Sequence, residues 1–300
     1  MIVFVILNWN SREMTAECIR SLVKMKAQEY EIIVVDNGSK DGSVGYLASQ
    51  FPQITILPQP HNIGFAAGCN VGMRWALERG AKYVLPLNND TIVDADFLSE
   101  LERVAEQHPE AAIVSPRIYF WDLPDRLWWA GGEFSLWTGI AKHVGRKEVD
   151  KGQFCRDKET DWATGCAVLL KCEVLREVGL FDERFFGNGE DLDLSLRIRK
   201  AGYQIWYAAK AKLWHKEGAD YRKNVGEQMR KFTGTRNCLY VMYKHATVIQ
   251  WITFIPNFII RYVAFYIILS VIKADFLSAW AVIRGVGAFP GMLYRLKRGI

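Results

Sequence analysis

The first 115 residues alternate short apolar runs with stretches whose apolar positions recur every three or four residues. The runs "IVFVIL" (2–7), "EIIVVD" (31–36), "ITIL" (54–57) and "KYVLPL" (82–87) are bounded by turn-forming residues. Continuous apolar character without alternation marks strands buried on both faces. Between them the helical period predicts helices over 12–25, after Asp41, over 65–79 and over 95–107, with a further strand at "AAIVS" (111–115). Regular alternation of strand and helix predicts an α/β chain with a doubly wound, mostly parallel, Rossmann-like sheet flanked by helices.

Beyond that half the pattern changes. Residues 117–163 mix aromatics, glycines and charges without helical period, as hairpins and loops do, and are a plausible acceptor surface. Helices are predicted at 172–178, 190–201 and 225–243, and a late strand at 203–208. The chain thus divides into residues 1–115, 116–243 and an apolar tail, 244–300.

In doubly wound sheets ligands bind beyond the carboxyl ends of the strands. Polar residues gather there: Asn8, Trp9 and Asn10 after the first strand, Asp36, Asn37 and Ser39 after the second, and Asn88, Asn89 and Asp90 after the fourth. Any one cluster also fits an ordinary turn or helix cap. Three of them point at one crevice.

Two further segments carry chemistry. In "GNGEDLDLSLR" (187–197), Glu190, Asp191 and Asp193 follow two glycines at a loop-to-helix junction. Acids there favour the helix dipole, and one could also serve as a base for a hydroxyl. His215, read as lying in a polar loop just past a strand, pairs with Asp90 as two ligands for a divalent cation whose other ligands are phosphate and water. Gly64, Gly68 and Gly72 form a small-residue stripe that fits close helix–sheet packing or nucleotide approach equally well. Asn62 and Gly64, ahead of that helix, are the nearer ligand neighbours.

With 50% hydrophobic and 24% charged residues among 300, the chain is globular rather than disordered. Its net charge of +5 hides an asymmetry: residues 201–300 hold 15 Lys/Arg against 4 Asp/Glu, leaving 23 − 29 = −6 for residues 1–200. A basic end rich in apolar and aromatic residues fits an anionic membrane surface better than nucleic acid. Six cysteines without a CxxC pair indicate reduced, cytosolic thiols rather than zinc or disulfides. "MIVFVILNWN" turns polar after seven positions without a basic leader, so it reads as a first strand and not a signal peptide. No Ser or Cys nucleophile constellation is evident.

Together these segments resemble the family 2 glycosyltransferases, which have the GT-A fold, a Rossmann-like mixed sheet flanked by helices, and especially the rhamnosyltransferases of bacterial surface polysaccharides. The matching blocks are "ILNWN" (6–10), "IIVVDNGSKDGS" (32–43), "NIGFAAGCNVG" (62–72), "PLNNDT" (86–91), "TGCAVLLKCEVLREVGLFDERFFGNGEDLDLSLRIRKAGY" (164–203), "HKEGA" (215–219) and "TRNCLY" (235–240). The resemblance implies a catalytic domain over 1–243, with a nucleotide-sugar half (1–115) and an acceptor half (116–243). It implies that Asp36 contacts the pyrimidine of a nucleotide sugar, with Asn8, Asn10, Asn62, Gly64 and Asn89 nearby. Asp90 matches the last acid of an Asp-X-Asp motif that holds Mg²⁺ or Mn²⁺, and His215 a second metal ligand. Asp191 matches the general base of an inverting transfer, with Glu190 or Asp193 next in line. The departure is Asn88, which stands where the family has its first acid and would contact the ribose as an amide.

The implied reaction moves a sugar, foremost rhamnose from dTDP-rhamnose, onto a lipid-linked or polysaccharide acceptor. A UDP-hexose or UDP-galactofuranose donor is the alternative. A sugar nucleotidyltransferase would carry a glycine-rich basic loop after the first strand, and "NWNSREMT" has no glycine. A catalytically silent membrane-bound binding module would not need the late acids.

The tail opens with "ATVIQWITFIPNFIIRYVAFYIILSVI" (246–272), interrupted by Pro256 and Arg261. A span needs about 20 apolar residues, and an arginine near its middle costs about 2.5–3.5 kcal/mol on insertion scales. Two in-plane helices, peripheral on the cytoplasmic face, are therefore expected. Packing of these helices on the catalytic domain, or between copies in a homo-oligomer, is the alternative.

Overall fold

The computed structural model describes residues 1–26, 29–216 and 226–298. Glu217–Ala219 of the "HKEGA" block and Val225, the expected start of a helix, lie outside them. The described residues form two compact units. The first is built from Met1–Glu133, Lys142–Phe186 and the stretch from Glu190 through the last long strand. The second holds Phe134–Ala141, Gly187–Gly189 and the C-terminal helices.

In the first unit the strands are β1 (Ile2–Asn8), β2 (Tyr30–Asp36), β3 (Thr55–Pro58), β4 (Tyr83–Asn88), β5 (Thr91–Val93) and β6 (Ala111–Phe120). They continue as β7 (Leu127–Trp129), β8 (Gly132–Ser135) and β9 (Ile140–His143), whose Phe134–Ala141 portion belongs to the second unit, then β10 (Lys158–Glu159), β11 (Leu169–Lys171) and β12 (Gln204–His215). The helices are α1 (Arg12–Val23), α2 (Ser43–Gln50), α3 (Phe65–Glu78), α4 (Phe97–Gln107), α5 (Cys172–Val178) and α6 (Glu190–Lys200). The main sheet runs β10-β12-β6-β11-β4-β1-β2-β3. Strands β3, β2, β1 and β4 are parallel, while β11 is antiparallel to both its neighbours. The mixed α/β sheet flanked by helices is thus the architecture expected.

Two strands outrun their sequence-based limits. β6 continues past Ser115 to Phe120, and β12 past Ala208 to His215, pairing in parallel throughout. Their register slips between Ala208 and Lys212, opposite Pro116 and Arg117. Pro116 has no N–H to give to a ladder, and a bulge in the partner strand accommodates that gap. The slip hid the second half of β12 from a reading by hydrophobic pattern.

Helix α3 lies against the sheet through its glycines. A Cβ on Gly68 would meet Leu7 Cδ1 at 2.4 Å, and one on Gly72 would meet Val5 Cγ1 at 2.4 Å. The stripe therefore serves close helix–sheet packing at these two positions. Beneath it Val3, Val5, Ile33, Val84 and Met73 form a continuous core with no exposed surface.

The second unit contains α7 (Glu227–His245), α8 (Val248–Asn257), a π-helical segment Phe258–Ala264, α9 (Phe265–Ile272) and α10 (Phe276–Arg298). Pro256 does not break the chain into separate helices; the run from Val248 to Ile272 is continuous, its hydrogen bonding loosened over the π segment that contains Arg261. Val248–Ile272 and Phe276–Tyr294 are each long and apolar enough to cross a membrane, and both are mostly exposed. In the same unit Asn237, within the "TRNCLY" block, donates through Nδ2 to the carbonyls of Gly187 (2.9 Å) and Asn188 (2.7 Å).

Candidate active site

The parallel register brings the three polar strand ends side by side. Asn8 stands opposite Asp36, and Leu7 opposite Asn88. A hydrogen-bond relay crosses them: Asn89 Nδ2 donates to Thr15 Oγ1 (3.1 Å), and the Thr15 hydroxyl donates to Asn8 Oδ1 (2.7 Å). Asn8 Nδ2 donates in turn to Asp36 Oδ2 (2.7 Å) and Ser39 Oγ (3.1 Å). Asn8 is fully buried, so its amide is engaged within the protein and acts by aiming Asp36. The other Asp36 oxygen, Oδ1, accepts from the Ser39 N–H at 3.0 Å.

Loop residues complete this corner. Asn10 takes a left-handed φ of 52°, which asparagine tolerates better than most residues. Its Oδ1 accepts from the Lys40 N–H at 2.7 Å, tying two loops together. Asn62 Oδ1 accepts from Asn37 Nδ2 (3.0 Å) and from the Gly64 N–H (2.9 Å). Gly64 has φ 91°, and a Cβ there would sit 2.8 Å from the Phe186 carbonyl oxygen. Only glycine fits that approach at the start of α3.

The acid motif meets the histidine through backbone pairing. β5 follows Asp90 directly and pairs antiparallel with the end of β12, setting His215 opposite Thr91. The Lys216 N–H also donates to the Asp90 carbonyl at 2.9 Å. His215 is therefore the last residue of a strand and buried, not a loop residue as expected, because β12 is zipped on both sides. Its Nε2 lies 3.0 Å from Asp90 Oδ1. The contact is an ion pair rather than an aligned hydrogen bond: Asp90 Oδ1, His215 Nδ1 and Nε2, and Asn88 Oδ1 are buried polar atoms without a hydrogen-bond partner among the described residues. Burial works against both charges, yet each sustains the other. Asp90 is held below the usual carboxylate range, and His215, also influenced by Cys166, well above that of a free imidazole.

Such orphaned atoms are costly unless something else satisfies them. They fit a divalent cation in donor type. Two neighbouring ligands of an octahedral ion at 2.0–2.1 Å stand about 3 Å apart, which is the separation observed. Among the described residues no third His, Cys, Asp or Glu joins them. Water and phosphate oxygens would supply the remaining ligands of an ion held here.

The acidic helix start divides by role. Asp193 has no exposed surface, and its carboxylate is 2.9 Å from Arg197 Nε. Arg197 also donates to the carbonyls of Val178 (2.6 Å) and Leu180 (2.6 Å), so this pair braces α6 against the preceding loop. Asp191 is partly exposed; its Oδ2 accepts from the Gly165 N–H at 2.8 Å and its Oδ1 from the Leu192 N–H at 2.7 Å. Burial pushes Asp191 upward against those bonds. Glu190 is buried with Oε2 unpartnered among the described residues, and burial followed by the Asp191 charge pushes it up to about 8. The neighbouring Cys166 carbonyl accepts from the Asn88 N–H at 2.8 Å, so Gly165 and Cys166 join the acid helix to the strand ends.

Trp128, like Thr15, escaped the sequence reading. Trp128 lies edge-on to His215, with ring centroids 4.8 Å apart, and its buried Nε1 has no hydrogen-bond partner among the described residues. The only signal was the doublet "WW", which is indistinguishable from core aromatics by pattern.

Comparison with known proteins agrees with this geometry. Residues 3–179 match the family described as Glycosyl transferase family 2. The O-antigen biosynthesis protein RfbC of Myxococcus xanthus is 29% identical over 214 residues, covering 68% of this chain and 16% of that protein. The N-acetylglucosaminyl-diphospho-decaprenol L-rhamnosyltransferase of Mycobacterium tuberculosis H37Rv is 25% identical over 210 residues, covering 61% and 66%. Galactofuranosyltransferase GlfT1 of Mycolicibacterium smegmatis is 26% identical over 227 residues, covering 74% and 72%. The chain thus spans only a small part of RfbC and about two thirds of the rhamnosyltransferase. Among solved structures, S. aureus TarS 1-349 in complex with UDP-GlcNAc superposes with a TM-score of 0.62 at 14% identity, covering 96% of this chain and 80% of that one. GalNAc-T7 with UDP, GalNAc and Mn²⁺ gives 0.60 at 15% identity, covering 81% and 47%. These two share the GT-A fold with the first unit's mixed sheet. The sheet, the site at its strand ends and the family match over more than half the chain lead to one conclusion: the chain belongs to glycosyl transferase family 2.

Proposed function

We propose that the chain is an inverting glycosyltransferase that moves a sugar from a nucleoside diphosphate donor to a hydroxyl of a lipid-linked or polysaccharide acceptor in bacterial surface-glycan synthesis. The observation that carries this reading is the open Asp90–His215 pair at the strand ends that also hold Asp36. Asp36 accepts a hydrogen bond from the donor's pyrimidine, with Asn8, Asn89 and Asn10 fixing its surroundings. Asn62, Gly64 and the start of α3 lie toward the nucleotide, and the free Asn88 Oδ1 accepts from a ribose hydroxyl.

Asp90 and His215 are the residues that would hold Mg²⁺ or Mn²⁺. Such an ion would neutralise the charge of the departing diphosphate. Asp191 takes the proton of the acceptor hydroxyl as that oxygen bonds to the anomeric carbon and the carbon–phosphate oxygen bond breaks. One displacement inverts the anomeric centre and needs no covalent enzyme intermediate. Glu190, holding a proton near neutral pH, keeps a second negative charge away from Asp191. Trp128, edge-on to His215 and with its Nε1 unpartnered among the described residues, offers a further donor to the nucleotide sugar.

The donor best supported is dTDP-rhamnose, given the rhamnosyltransferase relative; the galactofuranosyltransferase relative favours UDP-galactofuranose as the second reading. The reaction is placed at the cytoplasmic face of the membrane, where a lipid-linked acceptor would be met. Thermal unfolding of the full chain with a panel of nucleotide sugars, with and without Mn²⁺, tests this. Bound ligand raises the midpoint by mass action. Protection by a nucleotide sugar that needs Mn²⁺ is expected, and absence of protection by every nucleotide sugar would count against the proposal.

A further inference from the structure

The second unit answers how its two apolar stretches meet a bilayer. Both are long enough to span, yet both lie along α7. Lys231 Nζ is 3.9 Å from Asp275, in the turn between the two stretches. Farther along, a Cβ on Gly285 would stand 2.7 Å from the Phe232 carbonyl oxygen, and Tyr243 meets Phe289 with ring centroids 6.2 Å apart. Helix α10 therefore runs beside α7 in the same direction over most of its length. The first stretch returns along α7 as well, with Phe254 and Phe258 packed on Leu239 and Met242.

Helix α7 carries Glu227, Arg230, Lys231, Arg236, Asn237, Lys244 and His245. A helix so charged does not enter hydrocarbon, and helices packed lengthwise against it are not free to cross. The two stretches nonetheless leave apolar side chains uncovered: Ile252, Ile259, Ile268, Ile272, Leu277 and Trp280 are each more than half exposed. Exposed apolar surface on that scale marks an interaction surface. Its charge identifies the partner. Residues 246–300 hold six Lys/Arg and one acid, Asp275, which already faces Lys231. Arg261, Lys273 and Arg284 are exposed, which suits anionic headgroups beside an apolar sole.

We infer that the two stretches form a monotopic foot: they lie in one leaflet of an anionic bilayer, and the turn Lys273–Asp275 stays on the same side as the catalytic unit. This deepens the proposed membrane location and rests on it. The test uses the full chain bound to sealed inverted membrane vesicles. Ala274→Cys is treated with a membrane-impermeant maleimide, and the exposed native Cys155 serves as the marker of the catalytic side. Labelling of both from the same face is expected. Labelling of position 274 only after the vesicles are opened would show a spanning hairpin and overturn the inference, while leaving the membrane location intact. A paired measurement uses vesicles of phosphatidylglycerol and phosphatidylcholine. Binding is expected to weaken at least tenfold on pure phosphatidylcholine and in the doubly substituted Ile252→Ala, Trp280→Ala chain, with turnover of a water-soluble acceptor unchanged. A soluble dimer that ignores both vesicle types would overturn the foot and the membrane location together.

Discussion

Asp90 Oδ1 and His215 Nε2 lie 3.0 Å apart although 125 positions separate them in the chain, and backbone pairing of β5 with β12 brings them there. Among the described residues neither atom has a further hydrogen-bond partner, which fits the proposed cation site. Asp90→Ala is expected to abolish Mn²⁺ binding, read by electron paramagnetic resonance of the free ion. Turnover should fall roughly a hundredfold or more, since several kcal/mol of charge stabilisation are lost. Unchanged Mn²⁺ titration would show that the ion sits elsewhere.

Glu190 makes stability depend on pH. The folded chain keeps its proton up to about 8, whereas the unfolded chain gives it up near 4.5. Between those limits the folded state binds more protons, so stability falls as pH rises; below them the penalty vanishes. Glu190→Gln should flatten the decline of the melting temperature across this window. A melting profile that overlays the parent's across this window would leave Glu190 without the role given to it.

Asn8 should behave as a positioning residue. Asn8→Ala strands Asp36 and Thr15 without their buried partner, a loss of about 1–3 kcal/mol, which urea unfolding would register. Nucleotide affinity is expected to fall with kcat largely retained at saturating donor. A large fall in kcat alone would place Asn8 at the reacting atoms instead.

The glycines of α3 should separate by position. Gly68→Ala and Gly72→Ala drive a methyl into Leu7 or Val5, with an expected cost of about 1–3 kcal/mol and little change in nucleotide affinity. Gly64→Ala adds a left-handed backbone and a clash with Phe186, and should weaken nucleotide binding as well. Calorimetric titration of the three variants with the donor nucleotide distinguishes the two behaviours.

Much of the first unit is legible in the sequence. Strands β1, β2 and β4 are buried on both faces, so their apolar runs stand out, and parallel pairing then forces Asn8, Asp36 and Asn88 to one edge. Local pattern could not reach His215: Lys210, Lys212 and the bulge opposite Pro116 break the apolar run, and only pairing with distant β5 and β6 extends β12 to its end. The relay through Thr15 was equally hidden, because a threonine inside an amphipathic helix looks like any other. Asp193 could not be told from Asp191 by spacing; the Arg197 contact that separates them depends on how α6 packs.

The most direct measurement is sugar transfer by the purified full chain, with the product's anomeric configuration read by NMR, repeated with Asp191→Asn. Inversion by the parent and loss of turnover in the variant are expected, with donor protection against unfolding retained. Retention of configuration, or turnover by Asp191→Asn at the parent's rate, would contradict an inverting transfer with Asp191 as its base.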